Sequence, residues 1–214
     1  MATLRHPRPA VLARDIRAMA MTEFGLVLPV LVLLSCYGLE LANYVITKMQ
    51  VSQVALQIAD NASRMGDAVQ GVKTVSEANI AETFIGGQLQ AGRLDLQNKG
   101  RIIVSSLEPM TNPNSTSAPR FRIRWQRCSG VLTNASSYGL QGATDLVGMG
   151  PADRQVTAQD YEATMFVEVV YRYTPLFSAD YVPNATIKEF ATMAVRDPRT
   201  LGVVPTSTGT AATC

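Results

Sequence analysis

Residues 19–45 read MAMTEFGLVLPVLVLLSCYGLELANYV, and the stretch from Phe24 to Leu39 within them carries no charge. Roughly 25 such residues in a helix cross about 30 Å of hydrocarbon, which predicts one membrane helix. Pro29 is tolerable there, because a local kink in a membrane helix can be re-satisfied. The competing reading is a secretory signal peptide, which has a shorter apolar region followed by a small-x-small cleavage site. Here the run passes into Tyr37, Glu40, Asn43 and Tyr44 with no convincing site, and the two tyrosines suit an interfacial aromatic belt.

On the N-terminal side, residues 1–18 carry Arg5, Arg8, Arg14 and Arg17 against Asp15 alone. On the other side the nearest charges are Glu40, Lys48 and Asp60. By the positive-inside rule the basic leader is cytoplasmic and the bulk of the chain lies outside, in the periplasm if the cell is bacterial. The lipid bilayer is the partner this implies, with the chain single-pass in the inner membrane. Two acids bracket the span. Glu40, near the outer interface, is expected to reach water. Glu23 sits directly before the apolar run, where an ionisable group is either functional or the marker of the cytoplasmic boundary.

Beyond Val45 the helix is expected to continue. Met49, Val51, Val54, Ile58, Ala62 and Met65 keep to one broad stripe, with Gln50, Gln53, Gln57, Asp60 and Arg64 opposite, until Gly66 and Asp67 stop it. Thr74-x-x-Glu77 reads as the capping box of a second helix, with Val75, Ala78, Phe84, Ile85 and Leu89 as its apolar face before Gly92. After Gly100 the period changes to two. Residues 101–107, 121–128, 165–173 and, more weakly, 186–195 read as strands of an antiparallel sheet with one face covered. In the second strand Phe121, Ile123 and Trp125 alternate with arginines taken as a solvated face. Residues 129–163 form a long Gly/Ser/Asn-rich loop, which is either functional or tied down. Residues 197–214 form a low-complexity tail, expected to be flexible unless anchored. The fold class is α+β: a long helix, half membrane and half amphipathic, a second helix, then about four strands, with 46–214 as the periplasmic domain.

The net charge of +2 and scattered basic residues exclude a nucleic-acid footprint. The lone histidine, His6, lies in the leader, so metal sites and histidine-based nucleophile pairs lack their key residue. Glu162 and Glu168 read as exposed strand-edge charges and not as an acid–base pair. The chain reads as a non-enzyme with no cofactor. Of three cysteines, Cys36 lies in the apolar run, leaving Cys128 and Cys214 as the soluble pair. In an oxidising compartment they are expected to form a disulfide, the alternatives being free thiols or pairing between chains.

The segment RAMAMTEFGLVLPVLVLLSCYGLELANY resembles the N-terminus of TadE/TadG-like proteins, the minor pilins (pseudopilins) of Tad, or tight adherence, pili of the type IV class. That family shows a basic leader, then Gly-Ala-x-x-Val-Glu-Phe-Ala-Leu and an apolar stretch with an early Pro. The matching residues are Glu23, Phe24, Leu26, Leu28 and Pro29. In the family the prepilin peptidase cuts after a Gly five residues before the Glu; here Ala18 holds that position and Met19 follows. RWQRC and the terminal Cys also resemble TadE-like proteins. The resemblance implies a pilin-like fold and a structural role in priming, capping or assembling an adhesive filament. Its implied partners are other pilins, Tad assembly proteins and the prepilin peptidase, and it gives Glu23 the task of neutralising a neighbour's N-terminal amine. The competing function is a membrane-anchored periplasmic binding module or secretion-apparatus component using the 129–163 loop.

Overall fold

The computed structural model describes residues 16–177, 185–205 and 210–214. Most of the basic leader and part of the 197–214 tail thus lie outside the described residues. α1 (Ile16–Arg64) is one helix of 49 residues, about 74 Å long, and Pro29 lies inside it without ending it. From Val51 onward one face is buried, through Val51, Val54, Ala55, Ile58, Ala59, Ala62 and Met65. Met49, expected on that stripe, is 58% exposed, because the i, i+3, i+4 progression through Thr47 and Val51 carries the buried face past it. α1 lies across the sheet and beside the second helix.

The end of α1 is tied from two sides. β1 (Asp67–Val69) and β2 (Val72–Thr74) form a small hairpin that the sequence reading did not anticipate. Lys73 on β2 donates to the Arg64 carbonyl at 2.8 Å and pairs with Asp197 at 2.6 Å. Arg199 donates to the carbonyl oxygens of Ala62, Ser63 and Met65 at 3.3, 3.2 and 2.7 Å. These are the carbonyls an α-helix leaves unpaired at its C-terminus, where cations are also favoured by the helix dipole.

The hydrogen bond from Lys73 holds the Asp197 carboxyl below its ordinary range. A depressed folded pKa contributes stability above the unfolded pKa and loses it as pH falls through the folded value. Asp197→Asn is therefore expected to show a stability deficit at neutral pH that closes as pH falls through the lowered folded-state value. Denaturation midpoints across that range check this; a deficit independent of pH would assign the loss to packing.

α2 (Glu77–Ala91) starts two residues later than the Thr74 capping box predicts. Thr74 belongs to β2, and the cap is Ser76, whose side chain accepts from the Asn79 backbone while Asn79 accepts from the Ser76 backbone. The buried face runs through Glu77, Ile80, Thr83, Phe84, Gly87 and Ala91. Ile85 and Leu89, expected on it, are 56% and 77% exposed. Gly87 meets α1 closely: a Cβ there would lie 2.6 Å from the Ile58 side chain. A 3₁₀ turn (Gly92–Leu94) and the short α3 (Leu96–Lys99) lead into the sheet.

β3 (Gly100–Pro109), β4 (Phe121–Ser129), β5 (Thr164–Arg172) and β6 (Thr186–Ala194) form an antiparallel sheet in the order β4-β3-β5-β6. The strands stand where the alternation placed them. The expectation of one covered face fails, for a topological reason. β4 and β5 flank β3 and both run antiparallel to it, so they are parallel to each other and the chain between them has to cross a face of the sheet. Residues 130–163 make that crossing, and they pack as they go. Met149 and Ala158 join Leu107, Phe121, Ile123 and Phe166 in a second core. Tyr138, Phe166 and Phe190 meet there with ring centroids 5.4, 5.6 and 5.5 Å apart. The opposite face carries Ile102, Val104, Met165, Val167, Val169 and Tyr171 against the helices.

A bulge between Ser106 and Leu107 leaves Arg124 without a partner in the register. It moves Trp125 onto the helix-side core while Phe121 and Ile123 stay on the crossover side, so the three do not share a face. The arginines of β4 are not a solvated row either. Arg122 and Arg124 flank the buried Glu108 at 3.9 and 3.5 Å. Arg127 is buried and paired with Glu77 at the start of α2.

Candidate functional site

The residues singled out for processing and assembly lie on the N-terminal half of α1. Ala18 and Met19 fall in its first turn. Glu23, Phe24 and Pro29 are all exposed, as is nearly every residue from Met19 to Leu39. This is the one described helix long and apolar enough to cross a membrane. A core helix of a soluble domain passes the same test of length, but its apolar residues are covered; here they are bare. The hydroxyls within the span are satisfied locally: Thr22 donates to the Met19 carbonyl and Ser35 to the Leu31 carbonyl, each at 2.8 Å. That is what a backbone surrounded by hydrocarbon requires of its polar side chains. Four residues separate Met19 from Glu23, about 6 Å of rise or one helical turn.

Glu40 is where the sequence reading goes wrong. It does not reach water: it is fully buried. Its carboxylate accepts from the Tyr173 hydroxyl at 2.6 Å and from the backbone N–H groups of Leu176 and Phe177, both at 2.9 Å. Asn43 donates to the same Tyr173 oxygen at 2.7 Å, and the Tyr44 ring stands edge-on to Tyr173 with centroids 5.2 Å apart. Burial, and then the hydrogen bond to Glu40, push the Tyr173 phenol up to about 12, so it stays a proton donor throughout the neutral range. The cluster joins the helix at the point where it enters the domain to the chain that follows β5. One signal in the sequence does point to it. Glu40, Tyr44, Thr47, Val51, Val54 and Ile58 follow one another at helical spacing, which places Glu40 on the core stripe.

Elsewhere the predicted residues are separated by role. Cys128 and Cys214 are joined as a disulfide, with Cα atoms 4.9 Å apart, and Cys36 is free. Glu168 is buried, not a strand-edge charge: it accepts from the Ser136 hydroxyl and, at 3.0 Å, from the Ser137 backbone. It thus anchors the crossover to β5. Glu162 is exposed in the turn before β5. Among the described residues no group of three or more histidine, cysteine or acidic side chains is placed to hold a metal ion. No protein-family model, no curated protein and no solved structure matches this chain.

Proposed function

We propose that the chain is a minor pilin or assembly protein of a Tad-type pilus. It is held in the bacterial inner membrane by one span, with the N-terminus cytoplasmic and residues 46–214 periplasmic. Its role is structural: priming, capping or assembling an adhesive filament. The observation that carries this reading is the continuity of α1. The helix that carries the Glu23 motif runs unbroken into the core against β5 and β6. A signal peptide would have to be cut out of that helix. The basic leader ahead of it supports the orientation. The alternative of a binding module built on the 129–163 loop loses ground, because the loop's buried residues are committed to the second core.

In this reading Glu23 is the assembly contact. A carboxylate at the edge of hydrocarbon is costly unless neutralised. Cleavage after Ala18 frees an amine on Met19 about one turn away, able to pair with Glu23 of the same or an adjacent chain and hold two helices in axial register. Glu23→Ala is expected to leave membrane insertion intact and to reduce recovery of the protein in sheared filaments. Ala18→Arg is expected to block cleavage and give a larger band. Full recovery of the Glu23→Ala protein in filaments would reduce Glu23 to a boundary residue and count against the pilin assignment.

A further inference from the structure

The chain after β5 brings two exposed apolar side chains, Leu176 at 61% and Phe177 at 52%, to the level of Glu40 on α1. Their height is set by the hydrogen bonds from their own backbone N–H groups to the Glu40 carboxylate. Glu40 stands about 24 Å along the helix from Phe24, and the hydrocarbon core is about 30 Å thick. Its outer boundary then falls near Tyr44, beyond Glu40. Counting from Met19 instead brings Glu40 to the boundary itself, about 32 Å on. In either register the clamp lies at or below the headgroups, given the single-span reading.

We propose that Leu176 and Phe177 insert into the outer leaflet of the same bilayer that α1 crosses, as a second membrane contact held in place by Glu40. Three features fit a lipid surface as the occupant. The segment Tyr173-Thr-Pro-Leu-Phe177 carries no charge, and the exposed Arg172 directly before it is placed to reach phosphate headgroups. Leu39 and Leu41, which flank Glu40 on α1, are exposed and apolar at the same level, as is Val45 beyond them. Insertion strands fewer backbone donors than it would for a free loop, since the N–H groups of Leu176 and Phe177 both donate to Glu40. The bilayer and the clamp reinforce one another. An ionised carboxylate at this depth needs donors that lipid cannot supply, so the membrane favours the closed arrangement. A single helix leaves the domain free to tilt over the membrane; a second contact fixes which side faces it.

The test uses the full chain in phosphatidylcholine vesicles with acyl chains brominated or not. The buried Trp125 gives a constant background, and one indole is added at a time through Leu33→Trp in the span, Phe177→Trp, Leu176→Trp, or Tyr161→Trp. Tyr161 precedes β5, so it lies about 27 Å from the Arg172 end of that strand. Bromination is expected to reduce the added emission of the Leu33→Trp, Leu176→Trp and Phe177→Trp proteins by roughly twofold or more, as for aromatics at the acyl boundary, and to leave the Tyr161→Trp protein unchanged. If only the Leu33→Trp protein is quenched, the span stands and the second contact is overturned. If the Leu33→Trp protein is not quenched, the span itself fails and this inference with it. Quenching of all four equally means the domain lies on the membrane without a preferred face, which also overturns the proposal.

Discussion

Glu77→Ala is expected to lower the unfolding free energy by about 4 kcal/mol, in the range for breaking one half of a buried ion pair. Glu77 and Arg127 have side chains only 3% and 5% exposed. The Arg127 guanidinium donates through Nε to both Glu77 oxygens, at 2.9 and 3.0 Å, and through Nη2 at 2.5 Å. Its Nη1 is used by the Gln126 carbonyl and the Gln141 side chain, both at 2.9 Å. Glu77 also opens α2, where a negative charge meets the positive end of the helix dipole. The pair therefore fixes how α2 sits on β4, and Gln141 extends the link to the crossover. Removing the carboxylate leaves a cation in the interior with no counter-charge. Burying a matched apolar pair is far less costly, so Glu77→Met combined with Arg127→Leu is expected to recover most of the loss. Guanidinium denaturation of the full chain in mild detergent, followed by Trp125 fluorescence, measures both. A Glu77→Ala loss under about 1 kcal/mol, as for exposed pairs, would show that the pair is not sealed from water.

The same pair shows where reading the sequence stops working. Alternation in β3, β4 and β5 is a local property, and helical spacing along α1 is another, so both elements are legible residue by residue. Glu77 and Arg127 are 50 positions apart, and nothing near either one announces the other. Arg127 goes with the other arginines of β4, which the sequence reads together as a solvated face on a strand with one wet side. The face is dry because residues 130–163 cover the other side and α2 covers this one, and the crossover has no periodicity to betray its packing. Glu40 failed for a related reason: its donors lie more than 130 positions away, two of them backbone groups that any sequence would supply. The capping box was a matter of competition between two overlapping patterns. Thr74-x-x-Glu77 fits the usual pattern and Ser76-x-x-Asn79 has Asn in place of Glu or Gln, yet Thr74 pairs with Asp67 in the hairpin and the second box is the one that forms. Glu23 was read from its immediate neighbours, and its exposed place on α1 is all that one chain displays of it.

Loss of the Cys128–Cys214 bond is the other change expected to be large. It closes a loop of 86 residues in sequence separation, for which the chain-entropy argument puts the stabilisation at about 4–5 kcal/mol. The bond acts on a tail that is already threaded through the fold. The Gly202 N–H donates to Glu108 at 3.0 Å, Leu201 and Ala212 pack on the helix-side core, and Arg101 reaches the Cys214 carbonyl at 3.5 Å. It also acts on a sheet edge. β4 is the outer strand, and its free backbone groups are taken up one after another: Phe121 by Leu146, Ile123 by Ala143 and Gly142, and Cys128 by the Ala212 carbonyl at 2.8 Å. The crossover covers the first part of that edge and the tail covers the last, so the chain end serves as a blunt for an otherwise open strand. Cys128→Ala with Cys214→Ala is preferable to a single change, because a lone thiol is left to pair between chains. The double variant is expected to lose about 4–5 kcal/mol, to shift the denaturation midpoint of the oxidised protein to that of the reduced one, and to self-associate more readily as the β4 edge opens. Mass spectrometry of a non-reduced digest establishes the starting state. Both cysteines alkylated without reductant, or a midpoint indifferent to reductant, would mean that hydrogen bonds and packing alone hold the tail to β4.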